Sequence, residues 1–404
     1  MRSGFQRRHW SALLLATMSL VACSRSGNVA PGKWNREAAA QYLDQRQVVW
    51  MAWPSAARDH GTFCISCHTG LPYVLARPAL RSALAERGPS DAERKIVENV
   101  AERVRLWSEI GPYYSGEGYE SAKPAESRGT ESILNALILA SNDAREGRLS
   151  DITRTAFNNM WALQLREGNA KGAWPWLDFD LQPWETADAQ YYGAAMAALA
   201  IGIAPEDYRS SSSIQERVDL LSSYLNRESS KQSLMNRVVL LWASTKLPGL
   251  LNSDQQKSIV RELVKEQKAD GGWELPSNAS PEGWSIRSTL KKHLRSDWTR
   301  QSEESDGYAT GLITLVLQEM GMSRKTPSVD RGLVWLSRNQ NSEDGSWYSS
   351  SLKKNRSSSS NIGHFMRDAA AAYAVMALSK DTQASGIDFV GENHQQDSLR
   401  SSGK

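Results

Sequence analysis

Tyr191-Tyr192-Gly193-Ala194-Ala195-Met196-Ala197-Ala198-Leu199-Ala200 is the stretch from which the fold can be read. Ala, Leu and Met favour the helix, and no polar face interrupts the run. A helix that is apolar all round must be buried on both faces. Residues 187–202 carry this stretch, and residues 130–144, 233–246, 306–321 and 367–379 share its character. Between them lie amphipathic segments near 150–166, 213–228, 253–267 and 325–340, each with one charged face. Wholly apolar and half-charged helices alternating at irregular spacings of roughly 45–75 residues predict an inner and an outer helical layer. No strand alternation is found. The expected fold class is all-α.

The outer segments end in a recurring signature. Gln267 through Gly271-Gly272-Trp273 fits Q-x-x-x-G-x-W without a gap. Gln340 through Gly345-Ser346-Trp347 fits with one extra residue, and Gln164 through Gly172-Ala173-Trp174 with four. These resemble the QW motifs of the squalene–hopene cyclase family, and Asp306-Gly307-Tyr308-Ala309-Thr310 before a Leu-rich helix is similar to that family too. The resemblance covers residues 130–380 and implies an α/α toroid around a central cavity. In physical terms glycine allows a left-handed stop after the helix, and tryptophan returns as a broad apolar plate. The motif residues are therefore read as structural staples.

The same resemblance delivers little catalytic machinery. Class II terpene cyclases protonate an alkene with an aspartate of a D-x-D-D motif, kept protonated by its neighbours. The nearest stretch here, Asp178-Phe179-Asp180-Leu181, lacks the third acid. No cysteine follows Cys67, which excludes the thioester of complement-like toroids and the cysteine ligand of prenyltransferase zinc sites. The aromatic cluster Trp174, Trp176, Phe179, Trp184, Tyr191 and Tyr192 either lines a cavity for an apolar, isoprenoid-like small molecule or packs the core. His364, in a Ser-rich loop over 351–366, either approaches a bound group or is exposed.

The chemistry sits nearer the N-terminus. Thr62-Phe63-Cys64-Ile65-Ser66-Cys67-His68-Thr69 contains C-x-x-C-H, the attachment pattern of a c-type haem. Two thiols add to the porphyrin vinyl groups, and the adjacent histidine becomes the proximal iron ligand. Cys64, Cys67 and His68 are thus the candidate sites for one covalent haem c, with His68 on the iron. A zinc half-site, a thioredoxin-like redox pair and a plain disulfide are the alternatives. No methionine occurs in 69–159, where a small cytochrome c offers its distal ligand, so His60 is the first candidate. Met51, Met160 or a five-coordinate iron remain open. Residues 35–114 are assigned to this haem segment and 115–129 to a polar linker. In c-type cytochromes, attachment follows export of the unfolded chain.

Residues 1–22 read as a signal peptide: Arg2, Arg7 and Arg8 precede a short apolar run. Its end, Leu20-Val21-Ala22-Cys23, resembles the bacterial lipobox, which implies lipidation of Cys23 and a membrane anchor. Ser24 after the cysteine favours the outer membrane, on the periplasmic side. Residues 23–34 become a tether, and 381–404 a polar tail. Loss of residues 1–22 removes three of the 48 basic residues and leaves 45 against 45 acidic ones. With no basic tract, nucleic acid is an unexpected partner. Instead, the partners expected are a periplasmic redox protein and an apolar small molecule. At 40% hydrophobic residues with 15 Trp, the chain can fill a sizeable core.

Overall fold

The computed structural model describes residues 34–275, 304–349 and 359–380, with a few residues between the last two. The expected signal peptide, Cys23, most of the expected tether and the expected tail lie outside the described residues. Among those described there are thirteen α-helices and no strand. They are α1 Arg36–Met51, α2 Gly70–Ala83, α3 Asp91–Arg105, α4 Lys123–Asp143, α5 Asp151–Ala162, α6 Ala189–Ile203, α7 Glu206–Arg209, α8 Ser212–Glu228, α9 Leu234–Ser244, α10 Ser253–Glu266, α11 Gly307–Glu319, α12 Pro327–Arg338 and α13 Phe365–Ser379.

Burial sorts the helices into two layers. In α6, 13 of 15 residues are buried, and in α11, 12 of 13 are, so these helices have neighbours on every side. In α10 only Ile259, Val260 and Leu263 are buried, so it faces water. The inner helices pack in sequence, α2 on α4, α4 on α6, α6 on α9, α9 on α11 and α11 on α13. Helix α13 then packs on α2 and closes a six-membered ring. Outside it α1, α3, α5, α8, α10 and α12 cover α2, α4, α4, α6, α9 and α11 in turn. The chain is an all-α, α/α toroid. Because outer and inner helices alternate along the chain, the inner six run the same way and their N-termini share one mouth.

Three staples lock neighbouring outer helices. The Trp174, Trp273 and Trp347 indoles donate to the carbonyls of Met160, Leu263 and Leu336, one in each preceding outer helix. Each motif glutamine donates its amide to the motif glycine's carbonyl: Gln164 to Gly172, Gln267 to Gly271 and Gln340 to Gly345. The same three amides also reach the next outer helix, at Arg217, Ser328 and Asn35. The third joins the end of the ring to its start. The glycines have φ of 98°, 97° and 78°, and a Cβ at any of them would strike the next outer helix.

The N-terminal segment departs from expectation. Residues 35–114 do not form a unit apart from the ring: α2 is an inner helix and α1 and α3 are outer ones, all sharing one core. Likewise the polar stretch 115–129 is not all linker, because α4 begins at Lys123. Its charges are satisfied locally, Lys123 by Glu126 at 2.7 Å and Arg128 by the Trp107 and Ile110 carbonyls. Polar composition concealed a helix whose polar groups are paired rather than solvated.

Candidate functional site

The C-x-x-C-H loop enters the inner layer at the N-terminus of α2, in the shared mouth. Nearly every residue of it is held. Thr62 accepts from Arg103 at 2.7 Å, and Asn99 clamps both the N–H and the carbonyl of Phe63. The Cys64 carbonyl accepts from the Trp50 indole at 2.8 Å, and the Tyr113 hydroxyl accepts from Ile65 N–H at 3.3 Å. Ser66 Oγ accepts from the Thr69 and Gly70 N–H groups and so satisfies two orphan donors at the start of α2. Arg103 is anchored in turn by Glu131 of α4, at 2.5 Å, with both side chains fully buried. The loop is therefore positioned by the ring itself.

His68 has one defined tautomer. Thr69 Oγ1 gives its single proton to Asp368 Oδ2 at 2.7 Å, so it must accept from His68 Nδ1–H at 2.8 Å. Burial raises the Asp368 carboxyl, but both its oxygens are taken as acceptors, by Arg46 at 2.8 and 3.1 Å and by Tyr42 at 2.9 Å, which favours the ionised form. Among the described residues nothing hydrogen-bonds to Nε2. Burial, assisted by the Arg46 charge, pushes the imidazole down to about 3, so it stays neutral. Phe365 stacks on the ring with centroids 3.7 Å apart, Trp50 meets it edge-on at 4.9 Å, and Trp184 lies at 6.0 Å. A neutral imidazole, oriented through Nδ1 and set among aromatic rings, is arranged as a ligand for a metal.

Cys64 and Cys67 are buried free thiols. Burial raises Cys64 to about 12 and Cys67 well above its ordinary range. Neither is a thiolate nucleophile near neutral pH. Among the described residues no three His, Cys, Asp or Glu side chains converge to hold a metal. Glu185, half-buried on the hairpin after Asp180, acts electrostatically on both thiols. Burial, then the charge of Asp178, raises it to about 7. Its only sequence signal was its place beside Trp184, and sequence reasoning passed it over.

The other candidates separate by position. Trp184 belongs to the mouth, with its ring 5.6 Å from Tyr308 and its indole N–H acting on the Tyr308 hydroxyl. Tyr192, 5.8 Å from Trp176, is raised well above its ordinary range by burial, and its hydroxyl acts on that of Tyr373. Trp176 donates to the Trp184 carbonyl and fills the space a Cβ at Gly193 would occupy. Trp174 and Tyr191 do not line the axis. The first is a staple, and the second donates to Leu225 of α8. Asp180 is exposed and Asp178 accepts from its N–H, so the pair forms a turn rather than an acid site.

His60 does not reach His68. It is exposed in a left-handed turn and, with Met51, lines a surface cavity of about 770 Å³ between α1 and α3 that His68 does not line. Met160 is locked in α5 beneath Trp174. His364 contacts Tyr42 at 3.3 Å and belongs to the Asp368 network.

The donor set fits a covalent haem c. Two reduced thiols stand in one loop beside His68, whose Nε2 has no hydrogen-bond partner among the described residues, and aromatic rings surround the imidazole. Thiols this buried and this weakly acidic could not add to vinyl groups in the folded chain. Attachment would therefore precede folding, the order followed in c-type cytochromes.

No family model matches the chain, and no curated protein matches it. Among solved structures it is similar to one described as a polysaccharide lyase, at 12% identity over 87% of this chain and 92% of that one, with a TM-score of 0.33. A likeness that distant carries no argument about activity.

Proposed function

We propose that the chain is an exported, lipid-anchored redox protein that holds one haem c in the mouth of its toroid. The observation that carries this is His68: its Nδ1–H is spent on Thr69, which Asp368 holds in turn, its Nε2 has no hydrogen-bond partner among the described residues, and two free thiols precede it in the same loop. Bound haem would supply one-electron chemistry. Cys64 and Cys67 would hold the porphyrin and His68 would ligate iron. Thr69, Asp368 and Arg46 would keep the imidazole in one tautomer, and Trp50, Trp184 and Phe365 would keep water from it. Cys23 would carry the lipid that tethers the body to the periplasmic side of the outer membrane.

The test is a pyridine haemochrome spectrum with intact mass, on full-length protein made in a host competent in haem attachment. A c-type spectrum that survives denaturation, with one haem of added mass lost in the Cys64→Ser/Cys67→Ser variant, is expected. A chain that leaves that host without covalent haem sinks the proposal.

A further inference from the structure

Beyond the mouth, an unbroken file of aromatic rings runs along the ring axis. From His68 the centroid steps are 6.0 Å to Trp184, 5.6 Å to Tyr308, 5.3 Å to Tyr373 and 6.4 Å to Trp242. Tyr308, Tyr373 and Trp242 come from three different inner helices, α11, α13 and α9, so tertiary structure alone aligns them. All four rings after His68 are buried, and Trp242 lines a basin of about 350 Å³ at the opposite end of the toroid. Ser141, Lys246, Glu319 and Lys380, at or near the C-terminal ends of inner helices, also line this basin.

We propose that Trp184, Tyr308, Tyr373 and Trp242 form an electron path between the mouth at His68 and this basin. The proposal rests on the redox function proposed above and adds its route and its second terminus. Electron tunnelling falls off exponentially with the gap between orbitals, so a series of rings in near contact carries charge far better than aliphatic side chains over the same span. Core packing alone asks for no such continuity. Leu, Met and Ala fill the neighbouring inner-helix positions here. One electron enters the path at one terminus and one leaves at the other. No ring gains or loses an atom.

To test this, a ruthenium polypyridyl label is attached to Ser141→Cys at the basin, in full-length haem-loaded protein. Cys64 and Cys67 are then thioethers and do not compete for the label. After a flash, the label passes from Ru(II) to Ru(III) and one electron reduces the ferric centre, followed at the Soret band. The expected result is that Tyr308→Leu and Tyr373→Leu each slow this reduction at least tenfold, while Tyr308→Phe, which keeps the ring, stays near wild type. Midpoint potential and melting temperature are measured on the same samples, so that a slower rate is not a damaged site. A haem-independent readout uses haem-free labelled protein, in which flash-quench oxidation of the label should yield an aromatic radical by EPR. There one electron leaves Trp242, the ring of the path that lines the basin, for Ru(III), and its N–H proton is released to solvent in this readout alone. Rates indifferent to loss of the rings, or no radical in the haem-free chain, overturn the path. Failure to load haem overturns the redox function instead, and shows at once as a missing Soret band.

Discussion

Replacing Gly345 by alanine tests whether the toroid closes on its own N-terminus. Gly345 has φ of 78°, and a Cβ there would lie 2.4 Å from the Ala38 carbonyl carbon and 2.6 Å from its oxygen. The left-handed conformation costs an L-residue about 1–2 kcal/mol. Relief of the overlap must push α1 off the motif loop and strain the two Gln340–Asn35 bonds, now 2.7 and 2.9 Å, each with a net worth of about 1 kcal/mol. Together these give a loss of about 3–5 kcal/mol, large beside ordinary domain stability. Gly249 is the internal control, with φ of 83° and nothing within 4 Å of an added Cβ. Gly249→Ala therefore carries only the backbone cost of about 1–2 kcal/mol. Both variants are compared with wild type by urea denaturation, with ΔΔG taken from the midpoints at common slope. Equal losses at the two sites would mean that α1 does not seat against Gly345, and the closed ring would be refuted.

Three further outcomes follow from the site. Arg103→Met leaves the buried Glu131 with only its longer contact to Arg128, at 3.5 Å, and should cost about 3–5 kcal/mol, while adding Glu131→Leu should restore much of it; a double variant no more stable than the single one refutes the pairing. Glu185 is raised in the fold, so between its ordinary pKa and about 7 the unfolded chain gives up a proton that the folded chain keeps, and stability falls as pH rises through that window. Glu185→Gln should flatten that slope and be more stable than wild type above pH 7; a slope unchanged by the substitution assigns it elsewhere. In haem-free protein the Cys64 and Cys67 thiols should resist a disulfide reagent at pH 8 until urea unfolds the chain, and rapid labelling of both in buffer would contradict their burial.

How much was legible depended on whether the signal was local. The all-round apolarity of 191–200 announced an inner helix, because helix periodicity is written in consecutive residues. The staples at Trp174, Trp273 and Trp347 were legible for the same reason: glutamine, glycine and tryptophan lie within one loop. The haem-segment boundary was misplaced because polarity was read as solvation. Lys123 and Arg128 find their partners within a few residues or at backbone carbonyls, and Gly129 makes room for the Pro175 backbone. Glu185 carried almost no sequence signal, since its pKa comes from burial and from Asp178 across a hairpin.

By itself the sequence determined the helix types, their order, the three staples and the thiol–thiol–imidazole spacing at Cys64, Cys67 and His68. Each is a pattern within a single turn, loop or helix face. Tertiary structure decided the rest. It made α2 the inner helix that closes the ring, joined Thr69 to Asp368 across 299 positions, and lined up Trp184, Tyr308, Tyr373 and Trp242 along one axis. Such contacts join residues far apart in the chain, and only the packing of six inner helices around a common centre brings them together.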